Sequence, residues 1–219
     1  MKTIYLTGFI AFFLMACGNN QKTPAEVYQS QTQSQTERES NEETQTNQIN
    51  EELKPMEYVV IETNKGDITL ELDPNRAPVT VANFLSYVDA GHYDNTIFHR
   101  VISNFMIQGG GFTADGTQKP TQSPIELESQ NGLSNDVGTI AMARTNAPNS
   151  ATAQFFINVA QNDFLNFKPG NPGYAVFGRV TSGMDIVNEI RQVETRGFMG
   201  HQDWPVEAVT IKTIRREAV

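Results

Sequence analysis

Two stretches of the chain concentrate side chains that could do chemistry. Phe98-His99-Arg100-Val101-Ile102-Ser103-Asn104-Phe105-Met106-Ile107-Gln108-Gly109-Gly110-Gly111-Phe112 sets one guanidinium and one carboxamide among aromatic and aliphatic residues. Ala141-Met142-Ala143-Arg144, Gln154-Phe155-Phe156-Ile157-Asn158, Phe164-Leu165 and Tyr174-Ala175-Val176-Phe177-Gly178 repeat the mixture further on. Such a set presents a permanent charge and a carboxamide among apolar and aromatic groups, with no Ser or Asp at a recognisable motif spacing for a nucleophile. Cys17 is the only cysteine, which excludes cysteine-based metal, redox or nucleophile schemes in the later residues. His92, His99 and His201 lack metal-ligand spacing, so no metal is expected. His99 has no Ser or Asp at a recognisable motif spacing, and a structural or substrate-orienting imidazole fits better than a general base. No Lys-Ser/Thr follows Gly109-Gly110-Gly111, so a strand ending in a tight bend is favoured over a phosphate loop. Taken by themselves, Phe98, Phe105, Phe155 and Phe156 read as core, and Trp204 as packing at one end of the fold. The company of Arg100 and Gln108 moves only Phe105 and Phe156 toward a site.

The elements that must position these residues are mostly strands. Tyr58 to Thr63 and Ile68 to Leu72 flank Asn64-Lys65-Gly66-Asp67, and Ile68, Leu70 and Leu72 alternate with polar residues, which predicts a hairpin with one buried face. Pro78 suits a first helical turn, Val81, Leu85 and Val88 recur at helical spacing, and Gly91 suits the end. Further strands are expected at Ile97 to Ile102, Phe105 to Gln108, Thr139 to Met142, Gln154 to Val159, Ala175 to Val180 and Val206 to Ile214. Ser182 and Asp185 have capping-box spacing before Met184, Val187 and Ile190, which predicts a second helix. Strands with two helices far apart do not alternate as βαβ units, so an antiparallel barrel or a sandwich is favoured, and the pattern does not choose between them.

The blocks FHRVI, FMIQGG, AMA, QFFI and VFG, in this order and with this spacing, resemble the cyclophilin peptidyl-prolyl cis-trans isomerases over roughly residues 57 to 215. The resemblance implies a mostly β fold, a closed eight-stranded antiparallel β-barrel capped by two α-helices. It also implies catalysis of rotation about X-Pro bonds in proline-containing polypeptides, without a cofactor. Arg100 matches the family's catalytic arginine. Phe105, Met106, Phe156 and Leu165 match the walls of the proline pocket, and Gln108 a polar group on the substrate backbone. Ala143 matches the neighbouring groove, Arg144 the place of main-chain bonds to the peptide, Gln154 a supporting group, and Phe98 and His99 fall in the family's site. Phe164 stands where many eukaryotic relatives have Trp and Tyr174 where they have His, both as in the bacterial branch.

The residue chemistry agrees with that implication. Rotation about an amide meets a barrier of ~18–20 kcal/mol because the nitrogen lone pair is delocalised into the carbonyl. A guanidinium beside the prolyl nitrogen donates to the lone pair as it localises in the twisted state, an interaction stronger there than in the planar ground state. An apolar pocket fixes the ring and excludes water. A pure peptide binder or chaperone has no need of a charge at the pocket mouth, which makes Arg100 the discriminating residue between isomerase and binding module. A hydrolase using His99 would need a partner that the sequence does not identify.

The chain has 219 residues and net charge −9. Its low apolar content is concentrated in Gly18 to Pro55, where 27 of 38 residues are Gln, Glu, Thr, Asn or Ser. That segment cannot bury enough surface to offset its ordering entropy and reads as a tether, with a span of roughly 31 to 37 Å as a flexible chain. Residues 56–219, with 12 basic and 18 acidic side chains, are left as one globular domain. The acidic balance disfavours nucleic acid as a partner. Lys2 precedes the uncharged run Ile4 to Ala16, too short for a bilayer-spanning helix, so residues 1–16 read as a secretory signal. Leu14-Met15-Ala16-Cys17 resembles the bacterial lipoprotein processing box, which implies a lipidated Cys17, attachment to a membrane through that lipid and a place in the bacterial cell envelope outside the cytoplasmic membrane. An ordinary signal peptide with an incidental Cys17 is the alternative. A monomer is expected.

Overall fold

In the computed structural model, which describes residues 53–217, the chain opens as the expected hairpin: β1 (Glu57–Thr63) and β2 (Asp67–Leu72) pair antiparallel. Gly66 closes the turn at φ 139°, its carbonyl accepting from the Thr63 N–H at 3.1 Å. The expected signal peptide, the expected lipidated Cys17 and the expected tether as far as Glu52 lie outside the described residues. Lys54 is already engaged with the domain, since its N–H donates to Asn75 Oδ1 at 2.8 Å and its carbonyl accepts from Asn75 Nδ2 at 2.9 Å.

Helix α1 (Pro78–Asp89) has Pro78 in its first turn, where the missing N–H costs no helical bond. The Glu128 carboxylate caps it from a distant loop, accepting from the N–H groups of Val79 (3.0 Å) and Thr80 (2.8 Å). Its other end is a Schellman motif, with Gly91 at φ 62° and the N–H groups of Gly91 and His92 bonded to the carbonyls of Val88 and Tyr87. The helix buries Val81, Phe84, Leu85 and Val88.

Then come β3 (Thr96–Ile102), β4 (Met106–Thr113), β5 (Thr139–Met142), β6 (Phe155–Asn158), a single 3₁₀ turn (Asp163–Leu165) and β7 (Val176–Ser182). Helix α2 (Met184–Ile190), β8 (Thr195–Phe198), β9 (His201–Pro205) and β10 (Thr210–Glu217) follow. Eight of the strands close into an antiparallel barrel of order β1-β10-β3-β4-β6-β5-β7-β2, which decides for the barrel over the sandwich. The interior is filled by Ile61, Ile68, Leu70, Phe98, Ile107, Ile140, Phe155, Ile157 and Phe177, with Phe84 of α1 reaching the rings of Phe155 and Phe177 at 5.6 and 5.2 Å.

Two local expectations are corrected. The capping box at Ser182 does not form, because Ser182 ends β7 and the N-cap is Gly183 at φ 86°, which turns strand into helix within one residue and makes no side-chain cap bond. Strand β4 does not end at Gln108 but runs through Gly109-Gly110-Gly111 to Thr113. The two-stranded ribbon β8–β9 lies outside the barrel and was not foreseen in the sequence.

Candidate active site

Strand alternation and register build the site. Side chains at alternate positions face opposite sides of the wall. On β4, Ile107 points into the barrel while Met106 belongs to a second, smaller apolar cluster with Phe156, Ala141, Val176 and Leu165. Arg100 pairs with Gln108, Gln108 with Phe156, and Phe156 with Ala141, so four neighbouring strands lay these residues in one row on the outer face.

Around this row lies a cavity of about 130 Å³, lined by Arg100, Phe105, Met106, Gln108, Ala143, Arg144, Phe156, Leu165 and Tyr174. That is well below the ~300 Å³ at which drug-sized ligands are held, and suits one side chain of a larger partner. Met106, Phe156 and Leu165 are at most 8% exposed, so the floor is desolvated and apolar. No carboxylate lines the cavity, while two guanidiniums do. Tyr174 stands edge-on to Phe156 at 5.6 Å and under the Arg144 guanidinium at 4.5 Å. Arg144 is tied further by Nε donating to the Gly173 carbonyl at 2.9 Å and Nη1 to that of Thr145 at 2.8 Å. Gln108 Nε2 donates to Gln154 Oε1 at 2.9 Å, and Gln154 lines an adjoining depression of about 200 Å³ that shares Gln108, Ala143 and Arg144 with the first. Phe164, 60% exposed, stacks on Phe105 at 5.5 Å and extends the rim.

Two of the expected site residues are placed elsewhere. Arg100 opposes Gln108 while Phe98 opposes Gly109, so β3 spends one residue more than β4 over this interval and His99 is the bulge. The bulge shifts the alternation. Phe98 is fully buried in the barrel interior against Phe155, and it corrects the expectation that it contacts substrate. His99 is 2% exposed and packs on Phe112, His201 and Trp204 rather than lining the cavity. Burial holds its pKa down at about 4, helped by His201 and Arg100 beside it, so the ring is neutral near pH 7. Its Nδ1 has no hydrogen-bond partner among the described residues.

Sequence reasoning missed what holds the pocket wall. Asn162 Nδ2 donates to the Phe105 carbonyl at 2.9 Å and to Asn158 Oδ1 at 2.7 Å, and Asn158 Nδ2 donates to Thr139 Oγ1 at 2.9 Å and Asn135 Oδ1 at 3.2 Å. Asn135, Asn158 and Asn162 are at most 2% exposed, and nothing in their spacing marks them as a set. It also missed Asp203, whose Oδ2 lies 3.6 Å from Arg100 Nε. Two larger depressions, of about 450 and 640 Å³, include none of the residues that line this cavity; the first sets Glu71, Asp73, Arg76, Asp136 and Arg179 around Met56, Leu133 and Val176. Among the described residues no cluster of three or more His, Cys, Asp or Glu could hold a metal ion, and no helix is long and apolar enough to cross a membrane.

Residues 58–216 match the sequence profile of the family described as cyclophilin type peptidyl-prolyl cis-trans isomerase/CLD. The chain belongs to that family. Among its relatives, a peptidyl-prolyl cis-trans isomerase, cyp18, of Streptomyces antibioticus is 59% identical over 163 residues, which cover 73% of this chain and 98% of the relative. Peptidyl-prolyl cis-trans isomerase B of Escherichia coli (strain K12) is 54% identical over 159 residues, 71% of this chain and 97% of the relative. A crystal structure of a Cryptosporidium parvum cyclophilin type isomerase in the presence of the dipeptide ala-pro is similar with a TM-score of 0.62 at 29% identity, over 74% of this chain and 99% of that one.

Proposed function

We propose that this protein catalyses rotation about X-Pro peptide bonds in exported polypeptides, with Arg100 as the catalytic group and Phe105, Met106, Phe156 and Leu165 as the seat of the proline ring. The observation that carries the reading is the cross-strand row, in which a guanidinium stands at a small cavity with a buried apolar floor, sized for one ring. The floor holds the ring, so the residue before proline turns while the ring stays. Gln108, held by Gln154, offers its amide to the substrate backbone, and Ala143 leaves the adjoining groove open. Arg100 donates to the prolyl nitrogen as its lone pair localises, and the dry floor keeps water from screening that contact. Neither a nucleophile nor a proton transfer is needed, and a neutral, enclosed His99 is consistent with that.

The alternative is a proline-peptide-binding or chaperone module without turnover. Acceleration of cis–trans exchange in an Ala-Pro peptide, and of the slow proline-limited refolding phase of a protein substrate, supports the isomerase. Binding of the peptide with no change in either rate overturns it.

The place of action rests on the signal-like run, the Leu14 to Cys17 box and the polar segment after it, which together support a lipid-anchored enzyme working outside the cytoplasmic membrane. Mass spectrometry of the mature N-terminus tests this. A diacylated or triacylated Cys17, with release to the soluble fraction in Cys17→Ser, is expected; an unmodified terminus starting elsewhere overturns it.

A further inference from the structure

We infer that Asp203 is a positioning residue for Arg100, holding the guanidinium at the mouth of the ring pocket; the inference rests on the isomerase reading of that site. Asp203 Oδ2 lies 3.6 Å from Arg100 Nε, too long for a hydrogen bond and short enough for a charge tether. The guanidinium carbon also stands 5.9 Å from the centre of the Phe105 ring, a wall of the pocket. The side chain is therefore in reach of both a carboxylate and an aromatic face. Arginine has five N–H donors, and a carboxylate near Nε leaves the four on Nη1 and Nη2 for another partner. Neither terminal nitrogen has a hydrogen-bond partner among the described residues.

The carboxylate comes from a rigid support. Asp203 lies on β9, next to Trp204, which is 3% exposed and packs on His99 at 6.0 Å, Phe112 at 6.0 Å and Phe198 at 5.1 Å. His99 is the bulge residue adjoining Arg100, so both ends of the ion pair are anchored to the same aromatic cluster. The ribbon that the barrel does not need for closure thus presents one acid to the one cavity-lining arginine that has an ion pair among the described residues. With side chains 39% and 34% exposed, the pair contributes little to stability. Its consequence lies in orientation, since a guanidinium free to rotate spends less time aimed at the prolyl nitrogen.

The test uses the full chain and an Ala-Pro peptide, reading exchange at saturating peptide and Kd separately by NMR, with the Arg100 Nε–H resonance as a local signature. Asp203→Asn should slow saturated exchange about threefold to tenfold, a fraction of what loss of the donor itself does, and leave Kd within about twofold. The Nε–H signal should shift or broaden, and Asp203→Glu should restore most of the rate. In an Arg100→Lys background Asp203→Asn should have no further effect. Wild-type exchange in Asp203→Asn, or the same loss in both backgrounds, overturns the positioning role. If Arg100→Ala itself retains full exchange, the catalytic reading fails, and this is distinguishable because the Asp203 variants are then compared against an arginine that does no work.

Discussion

Phe98 and Arg100 stand two positions apart on β3 yet lie on opposite faces of the barrel wall, because His99 between them is a bulge. In a regular strand residues i and i+2 share a face, and the guanidinium would have pointed into the core beside Phe98. One extra residue turns it outward, opposite Gln108 and in line with Phe156. The same residue pays with an imidazole enclosed against Phe112, His201 and Trp204.

That enclosure predicts a pH dependence of stability. His99 is held at about 4 in the folded state by burial first, against 6.5 when free. Between these values the unfolded chain binds the proton and the folded chain does not, so the stabilisation is complete above pH ~6.5 and is lost as pH falls toward 4. At 1.36 kcal/mol per unit the full loss is up to about 3 kcal/mol. His92, also shifted down by burial, adds in the same direction. Urea denaturation at several pH values from about 7 to 5 should show stability falling with pH, and His99→Phe should remove most of that slope even where it changes the absolute value. An unchanged slope would place the titration elsewhere.

The glycine triplet predicts two different lesions. Gly110 has φ 82°, and a methyl there would stand 2.8 Å from a Tyr93 ring carbon and 3.0 Å from one of Phe155. Gly110→Ala should therefore destabilise by about 2–4 kcal/mol, from left-handed backbone strain plus overpacking. At Gly111 a methyl would meet the end of the Gln154 side chain at 2.5 Å, so Gly111→Ala should displace Gln154 from Gln108 and lower activity more than melting temperature. Melting curves and peptide exchange measured on both variants separate the two effects.

Asn162 predicts a coupled loss. It is 2% exposed and bonds both the Phe105 carbonyl and Asn158. Asn162→Ala leaves the buried Asn158 Oδ1 without a donor and the Phe105 carbonyl with only the Val159 N–H at 3.1 Å, which should cost about 1–3 kcal/mol of stability. Because Phe105 forms a pocket wall, the Kd for a proline peptide should rise as well. Denaturant unfolding together with a binding titration checks both, and a destabilised variant with unchanged Kd would show that Phe105 is held by other means.

Strands with a clear period were legible: Thr139 to Met142 was marked at both ends, and the helix from Pro78 to the glycine at 91 followed from cap chemistry. The ribbon was not. Thr195-Arg196-Gly197-Phe198-Met199-Gly200 carries two glycines and little apolar alternation, and its order comes from Trp204 packing on residues a hundred positions away. The far half of β4 is hidden for a similar reason, since its glycines read as a bend where the bulged ladder needs them for close approach to Tyr93 and Gln154. The cavity residues were named through the family's blocks. What no local pattern carried was the phase shift at His99, which removes Phe98 from the site, and the long-range partners Asp203 and Asn162.

The central claim is that Arg100 acts on the twisted bond rather than on the bound peptide, and exchange spectroscopy on an Ala-Pro peptide, paired with a binding titration, tests it most directly. Arg100→Ala should slow saturated exchange by about 10²–10³, or ~2.7–4 kcal/mol, on the scale of removing a transition-state donor. Its Kd should change little, and Arg100→Lys should recover little, because an ammonium lacks the planar fork of donors. Phe156→Ala should weaken binding and exchange together, since the ring seat is used in both states. Near wild-type exchange in Arg100→Ala would contradict the account and leave the groove as a peptide-binding surface.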